Sequence, residues 1–193
     1  MNSPAPSFTN YFSELNETEL TELMSYFKTE KLAKNDFFTE AGRQCERLSL
    51  VHTGILRVFA LDEDGREITQ WLSTPNSFVT EIASFFFNQN NRWSIQALTE
   101  VELLSLHKSD YLRLCEAFPK WNDIEKKIIA SCFITLENRV FTHLSKSAEE
   151  RYEHYLQHNK ALFQQVPLQY IASVLGMSPE TISRIRNKQR DNS

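Results

Sequence analysis

A short segment near the end of the chain carries polar side chains at helical spacing, three and four residues apart. These side chains are Glu180, Ser183, Arg184 and Asn187. On a helix they share one face, opposite the apolar Ile182 and Ile185. A carboxylate at position 180 can accept a hydrogen bond from cytosine N4, and a guanidinium at position 184 can donate to guanine O6 and N7. The pattern predicts a helix face that enters a major groove and reads base edges.

Residues around this face are placed to contact backbone phosphates. Their side chains are basic, hydroxyl or amide groups: Gln169, Ser178, Thr181, Arg186, Lys188 and Arg190. Residues 181–193 hold four basic side chains and one acid, a net charge of 4 − 1 = +3, whereas the whole chain of 193 residues has a net charge of −4. An acidic protein with one basic end favours a focused phosphate contact over nonspecific coating of nucleic acid. For any single basic residue, the alternative is a solvated surface charge.

The residues before this helix have the sizes and torsional freedom that a helix-turn-helix requires. Ala172 is small enough for two helices to cross closely, and Gly176 allows the positive φ of a tight turn. Ser178 is placed to cap the second helix, with Pro179 at its first position. Apolar residues would form the core between the helices: Ile171, Leu175, Met177, Ile182 and Ile185. The alternative is a helical hairpin with a purely structural role.

Residues 30–107 consist of short runs rich in β-branched and aromatic residues, separated by turn residues. Apolar residues alternate roughly in 48–52, 55–60 and 67–72, and Asp64-Gly65 is typical of a hairpin turn. About seven or eight strands at this spacing predict a sandwich or a rolled barrel. An amphipathic helix is predicted within 13–28, capped by Asn16 or Thr18, and a short helical interruption within 81–87.

After Pro119, apolar residues recur every three or four positions over about 20 residues. A helix of this length, at about 1.5 Å per residue, extends beyond a small domain and needs a partner along its exposed part. We expect a second copy of the chain to cover it. The seam would consist of Ile124, Ile128, Ile129, Cys132, Phe133, Leu136 and Val140. The alternative is a helix packed wholly against its own domain.

The β-rich domain, the long helix and the closing sequence VPLQYIASVLGMSPETISRIRNKQ together resemble the Crp/Fnr family of bacterial transcription regulators. LSLVHTGILRVF is similar to a strand, glycine turn and strand of the family, and Glu180 and Arg184 match its base-reading Glu and Arg. The resemblance implies an α+β fold that begins with a double-stranded β-helix, or jelly-roll β-roll, of the cyclic nucleotide-binding type. It also implies an effector domain at 1–118, a dimerisation helix at 119–145 and a helix-turn-helix domain at 146–193. We expect no full β-hairpin wing after Arg190.

The same resemblance places an effector pocket in FVTEIASFFFNQNNRWSIQA, at Thr80, Glu81, Ile82, Arg92 and Trp93. Family members that bind cyclic nucleotides carry a Gly-Glu-Leu and an Arg-Ser/Thr-Ala pattern there. Glu81 matches, but the Cβ of Thr80 hinders a close backbone approach to phosphate, and Trp93 replaces a small polar residue. Cyclic AMP and cyclic GMP are therefore not expected ligands, and the effector is unknown. The aromatic residues 85–87 and Trp93 form either a pocket for another ligand or ordinary core.

Other function classes find little support in the sequence. The three cysteines lack the spacing of an iron–sulfur cluster or a zinc site, and His154 and His158 lack a third ligand. We expect no metal, no cofactor and no enzyme activity. No segment approaches the roughly 20 apolar residues of a membrane span, and the N-terminus lacks a signal pattern. A cytoplasmic protein without a membrane partner is expected.

The predicted function is a cytoplasmic homodimer that binds a palindromic operator in double-stranded DNA and regulates transcription. An effector in the degenerate pocket would shift the long helices and so reposition the recognition helices, and RNA polymerase is a further candidate partner. The alternative is a ligand- or protein-interaction module with a vestigial helix-turn-helix. If the recognition helix were vestigial, we would expect acidic residues to lie beside its basic residues.

Overall fold

The computed structural model describes residues 11–191, and the side chains of residues 11–188. The β-rich part consists of α1 (Glu17–Met24), β1 (Lys28–Leu32), β2 (Phe37–Thr39), β3 (Arg47–Thr53), β4 (Leu56–Leu61), β5 (Glu67–Ser73), β6 (Phe78–Val79), α2 (Ile82–Phe87), β7 (Ser94–Ala97) and β8 (Val101–His107). The helical part consists of α3 (Lys108–Ala117), α4 (Lys120–Ser145), α5 (Ala148–His158), α6 (Leu162–Gln165), α7 (Leu168–Val174) and α8 (Pro179–Asp191). This order confirms the predicted α+β fold class.

The strands form a β-roll of two antiparallel four-stranded sheets, ordered β1-β8-β3-β6 and β2-β7-β4-β5. Alternate side chains of both sheets meet in a common core, in which Val51 and Leu103 of the first sheet pack with Leu56 and Ile95 of the second. The turn at Gly65, where φ is +76°, joins β4 to β5 as the Asp64-Gly65 pattern predicts. The predicted rolled β-domain is therefore confirmed.

Position 54, between β3 and β4, requires a glycine because of both its backbone torsion angle and the atoms that surround it. Its φ is +87°, and a Cβ built at this position would lie 2.3 Å from the carbonyl oxygen of Glu100. An L side chain there would clash with backbone that cannot move away cheaply. The glycine thus allows the β3–β4 connection to pass close to the turn that precedes β8.

Helix α1 is shorter than the predicted range of 13–28, and its start is set by Asn16. The Asn16 side chain accepts from the amide of Glu19 at 2.9 Å, and the Glu19 carboxylate accepts from the amide of Asn16 at 3.1 Å. This capping box fixes the first turn at Glu17, and the chain enters β1 at Lys28. Of the two predicted caps, Asn16 is the one used.

The long helix α4 spans 26 residues, about 39 Å at 1.5 Å per residue. Its first two turns pack inside the protomer, where Trp121, Ile124 and Ile128 join a core with Leu23 and Leu114. Ile124 and Ile128 are each only 5% exposed, so they do not lie in a seam between two copies as predicted. They pack inward because α1 and α3 cover this end of the helix.

Beyond Ile128 the apolar face of α4 is open to solvent. Its side chains are between 41% and 82% exposed: Ile129, Phe133, Leu136, Val140 and Leu144. Cys132 is also exposed. The alternative that α4 packs wholly on its own domain therefore fails for this half of the helix.

No helix within residues 11–191 is both long enough and apolar enough to cross a membrane.

The helices after α4 share one core with the β-roll. Ile171, Leu175 and Ile182 of the C-terminal helices pack in the same cluster as Ile55 and Leu72 of the strands. This region therefore buries its apolar side chains partly against β5 and the β3–β4 connection. Such sharing stabilises a helical unit that is too small to build a large core alone.

Candidate nucleic-acid interface and effector pocket

The turn between α7 and α8 has the geometry of a helix-turn-helix. Gly176 takes a φ of +64°, and the amide of Met177 donates to the carbonyl of Ala172 at 2.9 Å. Ala172 is fully buried between the two helices. The Ser178 hydroxyl accepts from the amide of Thr181 at 3.3 Å, as expected of the residue that caps α8. Local sequence rules therefore account for the whole turn.

One face of α8 is exposed and polar, and the opposite face is buried and apolar. Ile182 and Ile185 are 0% and 4% exposed and anchor the helix. The exposed side chains are Glu180, Ser183, Arg184 and Asn187. Hydrogen bonding from Ser178 lowers the pKa of Glu180, so this carboxylate is ionised at neutral pH and can act only as an acceptor. The face offers an acceptor near its start and a guanidinium one turn later.

The basic side chains predicted to contact phosphates do not all point outward. The Arg186 Nε donates to the Tyr152 hydroxyl at 3.0 Å, and its guanidinium lies over the Phe163 ring at 5.5 Å. Arg186 is therefore turned towards its own domain in this conformation, and its assignment as a phosphate ligand stays a prediction. The Lys188 ammonium forms an ion pair with Glu149 at 2.9 Å. The side chain of Arg190 lies outside the described part of the structure.

Arg184 differs from these neighbours because its guanidinium remains available. It is exposed and forms no ion pair with any side chain described in residues 11–188. Gln169, at the second position of α7, is exposed as well, and Thr181 is half-buried in the first turn of α8. The side chains that remain free to contact a duplex therefore lie at the start of both helices and along one face of α8.

In the predicted effector pocket, Glu81 is engaged with the protein backbone. Its side chain, 4% exposed, accepts from the amide of Ser84 at 2.7 Å and from the amide of Arg92 at 3.4 Å. The carboxylate thus caps α2, where an anionic ligand would need free amide donors. A ligand group bound at the start of α2 would have to displace this carboxylate from the amide of Ser84.

The other predicted pocket residues contact their own chain or are exposed to solvent. The Thr80 hydroxyl donates to the carbonyl of Arg47 at 2.9 Å. Arg92 is exposed, with its guanidinium 5.1 Å from the Trp93 ring, and Ile82 is 58% exposed. Four of the five side chains, all except Ile82, are thus bonded to, or stacked on, neighbours of their own chain. Phe85 is buried against Phe86 and Tyr111 and belongs to the core, whereas Phe87 is 68% exposed, so the core alternative holds for only part of the aromatic cluster.

A contact that the sequence did not reveal joins the helix-turn-helix to the β-roll. The amide of Thr69 in β5 donates to the Ser173 hydroxyl in α7 at 2.8 Å. The guanidinium of Arg57 in β4 lies 3.8 Å from the Tyr170 ring, and Arg139 of α4 donates to the carbonyl of Val174 at 3.1 Å. The one local signal is Arg57 itself, a charged residue at the second position of a largely apolar strand.

The paired histidines on α5 lie next to each other on the helix. The ring centroids of His154 and His158 lie 4.6 Å apart, and burial together with Lys146 and His158 lowers the pKa of His154. Within the described residues, no group of three or more His, Cys, Asp or Glu side chains could hold a metal ion.

Comparisons with known proteins agree with this architecture. Residues 29–118 match the model of the cyclic nucleotide-binding domain. The anaerobic regulatory protein of Bacillus subtilis (strain 168) is 26% identical over 137 residues, which cover 69% of this chain and 52% of that protein. The chain therefore spans about half the length of this curated relative.

Solved structures extend the similarity across nearly the whole chain. The c-di-GMP-responsive global regulator CLP of Xanthomonas campestris superposes with a TM-score of 0.73 at 16% identity, covering 92% of this chain and 93% of that one. The catabolite activator protein of Thermus thermophilus is 25% identical with a TM-score of 0.56, covering 94% and 87%. Together with the β-roll, the long helix and the helix-turn-helix, these similarities show that the chain contains a cyclic nucleotide-binding domain and has the fold of the Crp/Fnr transcription regulators.

Proposed function

We propose that the chain is a sequence-specific DNA-binding transcription regulator that acts as a homodimer on a two-fold symmetric operator. The observation that carries this proposal is the recognition face of α8, where Glu180, Ser183, Arg184 and Asn187 are exposed. Ile182 and Ile185 hold the helix so that this face points away from the protein. The function is one of binding, without a catalytic step.

In this proposal the face of α8 enters a major groove. Glu180 accepts from a cytosine N4, and Arg184 donates to guanine O6 and N7. Gln169, Ser178 and Thr181 contact phosphates at the starts of the two helices, where backbone amides add partial positive charge. Lys188 reaches a phosphate after leaving Glu149.

The open face of α4 supports a homodimer. Its exposed apolar residues repeat at intervals of three and four, as required for two helices that pack side by side. The seam of the proposed dimer consists of Ile129, Cys132, Phe133, Leu136, Val140 and Leu144. A two-fold axis along this seam gives two recognition helices, and half-sites about one helical turn, roughly 34 Å, apart.

The proposed effector of the β-roll is not a cyclic mononucleotide. The buried carboxylate of Glu81 already accepts the amide of Ser84, and the Thr80 hydroxyl is bonded to the carbonyl of Arg47. A cyclic phosphate would have to displace the first contact to reach the amides at the start of α2. The pocket is thus degenerate towards cyclic nucleotides, and binding of another effector there would act through α4 on the recognition helices.

The proposal is tested by selecting sequences from a random duplex library with the purified full chain at moderate salt. Parallel selections contain no nucleotide, cyclic AMP, cyclic GMP or c-di-GMP. We expect a symmetric sequence to be enriched without nucleotide. Enrichment only with cyclic AMP or cyclic GMP would contradict the proposed pocket, although not the DNA-binding function, whereas enrichment only with c-di-GMP would identify another effector.

Lys188 and Arg186 both contact side chains of their own domain, and this observation favours the interaction-module alternative. No enrichment in any selection would support that alternative.

Arg184→Ala and Arg43→Ala serve as a matched pair in the same selection. Arg43 is an exposed arginine of the β-roll, so its loss should leave the enriched sequence unchanged.

A further inference from the structure

The helix-turn-helix is fixed to the edge of the β-roll through a backbone donor. β5 is the last strand of its sheet, so one of its two edges has no strand partner. At that edge the Thr69 amide donates to the Ser173 hydroxyl of α7 at 2.8 Å. An edge amide that would otherwise face water is thus satisfied by the first helix of the DNA-binding unit.

A buried guanidinium reinforces this contact from the side of the β-roll. Arg57 is 1% exposed, and its guanidinium stacks 3.8 Å from the Tyr170 ring of α7. It also donates to the Thr69 hydroxyl at 2.8 Å and to the Glu67 carboxylate at 2.6 Å. Since a buried charge needs several partners, the position of the Tyr170 ring is coupled to the β4–β5 hairpin.

A second guanidinium joins three elements at one point. Arg139 of α4 donates through one nitrogen to the carbonyl of Gln70 in β5 and through another, at 3.1 Å, to the carbonyl of Val174. Val174 is the last residue of α7, where the helix carbonyls lack intrahelical partners and carry partial negative charge. The planar fork of arginine can serve two acceptors that a single ammonium cannot align with at once.

We infer that Arg139 is a positioning residue, whose guanidinium holds α7 against β5 and so fixes the orientation of the recognition helix relative to the long helix α4. In a dimer built on α4, this contact sets the distance between the two recognition helices. The inference rests on the proposed function for its effect on DNA, but the docking itself can be measured without DNA.

The first test is hydrogen exchange at the Thr69 amide, followed by NMR on the full chain. This amide reports docking directly, because its acceptor is the Ser173 hydroxyl. Arg139→Gln should raise its exchange rate by at least about tenfold by opening the α7–β5 contact. Ser173→Ala removes the acceptor and shows the exchange rate of the same amide without this hydrogen bond.

Two controls separate loss of docking from loss of folding. Amides in β3 and β8, which pair with each other at the centre of the other sheet, should exchange as in the wild type. Arg66→Gln removes an exposed guanidinium paired with Asp62 and Asp64 in the same hairpin and should leave Thr69 unaffected. An unchanged Thr69 rate in Arg139→Gln, with a faster rate in Ser173→Ala, would overturn the inference.

The second test uses duplexes in which the two selected half-sites are moved apart one base pair at a time. The wild type should bind one spacing more tightly than a spacing changed by about five base pairs. Arg139→Gln should reduce the ratio of these two affinities by about tenfold. Arg139→Lys, which keeps the charge but not the fork, should give an intermediate profile. Affinity for a single half-site should not change.

The two measurements distinguish the inference from the proposed function. Faster exchange with an unaltered spacing profile would overturn the positioning role. A wild-type protein that selects no operator would count against the proposed function, whereas the exchange rate of Thr69 would still decide whether Arg139 docks α7.

Discussion

The Lys188 ammonium lies 2.9 Å from a carboxylate oxygen of Glu149, which joins the recognition helix to the first turn of α5. Both side chains are about half exposed or more, 62% and 49%, so the ion pair contributes little to stability. Its main effect is to place an acid beside a base that is proposed to contact DNA. The expectation that the basic residues of α8 have no acidic neighbours is wrong for Lys188.

Removing that acid should strengthen DNA binding without changing specificity. Glu149→Gln frees Lys188, and we expect affinity for specific and random duplexes to rise by about two- to fivefold at low salt. Fluorescence anisotropy over a salt series measures both affinities. Glu116→Gln, which removes an exposed acid of α3, is the matched control. A gain confined to the specific duplex would mean that Lys188 contacts bases.

Arg184→Ala should weaken binding to the specific duplex and so reduce specificity, unlike Glu149→Gln. Its exposed guanidinium lies on the recognition face, so its loss should weaken binding to the selected operator by about 1 to 3 kcal/mol. Binding to random duplex should change little, because a base contact contributes little to nonspecific affinity. Titrations of both duplexes by anisotropy test this. Equal losses on both would assign Arg184 to a phosphate.

Val140→Glu should disrupt the proposed dimer without unfolding the protomer. Val140 is 58% exposed on the open face of α4, so a carboxylate there meets solvent in the monomer but an apolar partner in the dimer. Sedimentation velocity should show a shift from dimer to monomer. Phe141, which is 68% exposed but about 100° further round the helix, provides Phe141→Glu as the control. If both variants remain dimeric, α4 does not form the seam.

The helix-turn-helix was predictable because each of its demands is local. A small residue at 172, a glycine at 176 and a hydroxyl at 178 follow from helix crossing, positive φ and capping, and the structure uses each of them in that way. The β-roll was predictable for a similar reason, since alternation and turn residues specify strands one at a time.

The neighbours of a helix face could not be predicted in this way. Ile124 and Ile128 have the same periodic spacing as Ile129 and Leu136, yet the first two are buried and the others exposed. Periodicity shows that a face is apolar, not whether its own domain or a second chain covers it. The contact of Arg139 with Val174 joins residues far apart in sequence, and no local sequence pattern predicts it.

Glu81→Ala should destabilise the β-roll because it removes the cap of α2. The buried carboxylate accepts the amide of Ser84 at 2.7 Å, and its loss leaves that donor unpaired. We expect a loss of about 1 to 2 kcal/mol in the free energy of unfolding, measured with urea. Glu63→Ala, in the exposed β4–β5 turn, should cost much less. A similar stability for both variants would show that the Glu81 contact does not cap α2 in solution.

Glu125 should make stability fall as pH rises. Burial raises its pKa, opposed by a hydrogen bond from Tyr111 at 3.1 Å, while its other oxygen is buried with no partner among the described residues. Because the folded state favours the protonated carboxyl, its stabilising effect is complete below the pKa of the unfolded chain. That effect is lost as pH rises through the raised value.

Glu125→Gln keeps the shape of the side chain and removes this titration. Urea unfolding from about pH 4 to pH 8 should show a smaller loss of stability with rising pH in the variant than in the wild type. Glu137→Gln, at an exposed position of the same helix, should retain the wild-type slope. Identical slopes in wild type and Glu125→Gln would mean that Glu125 is solvated and ionised as in the unfolded chain.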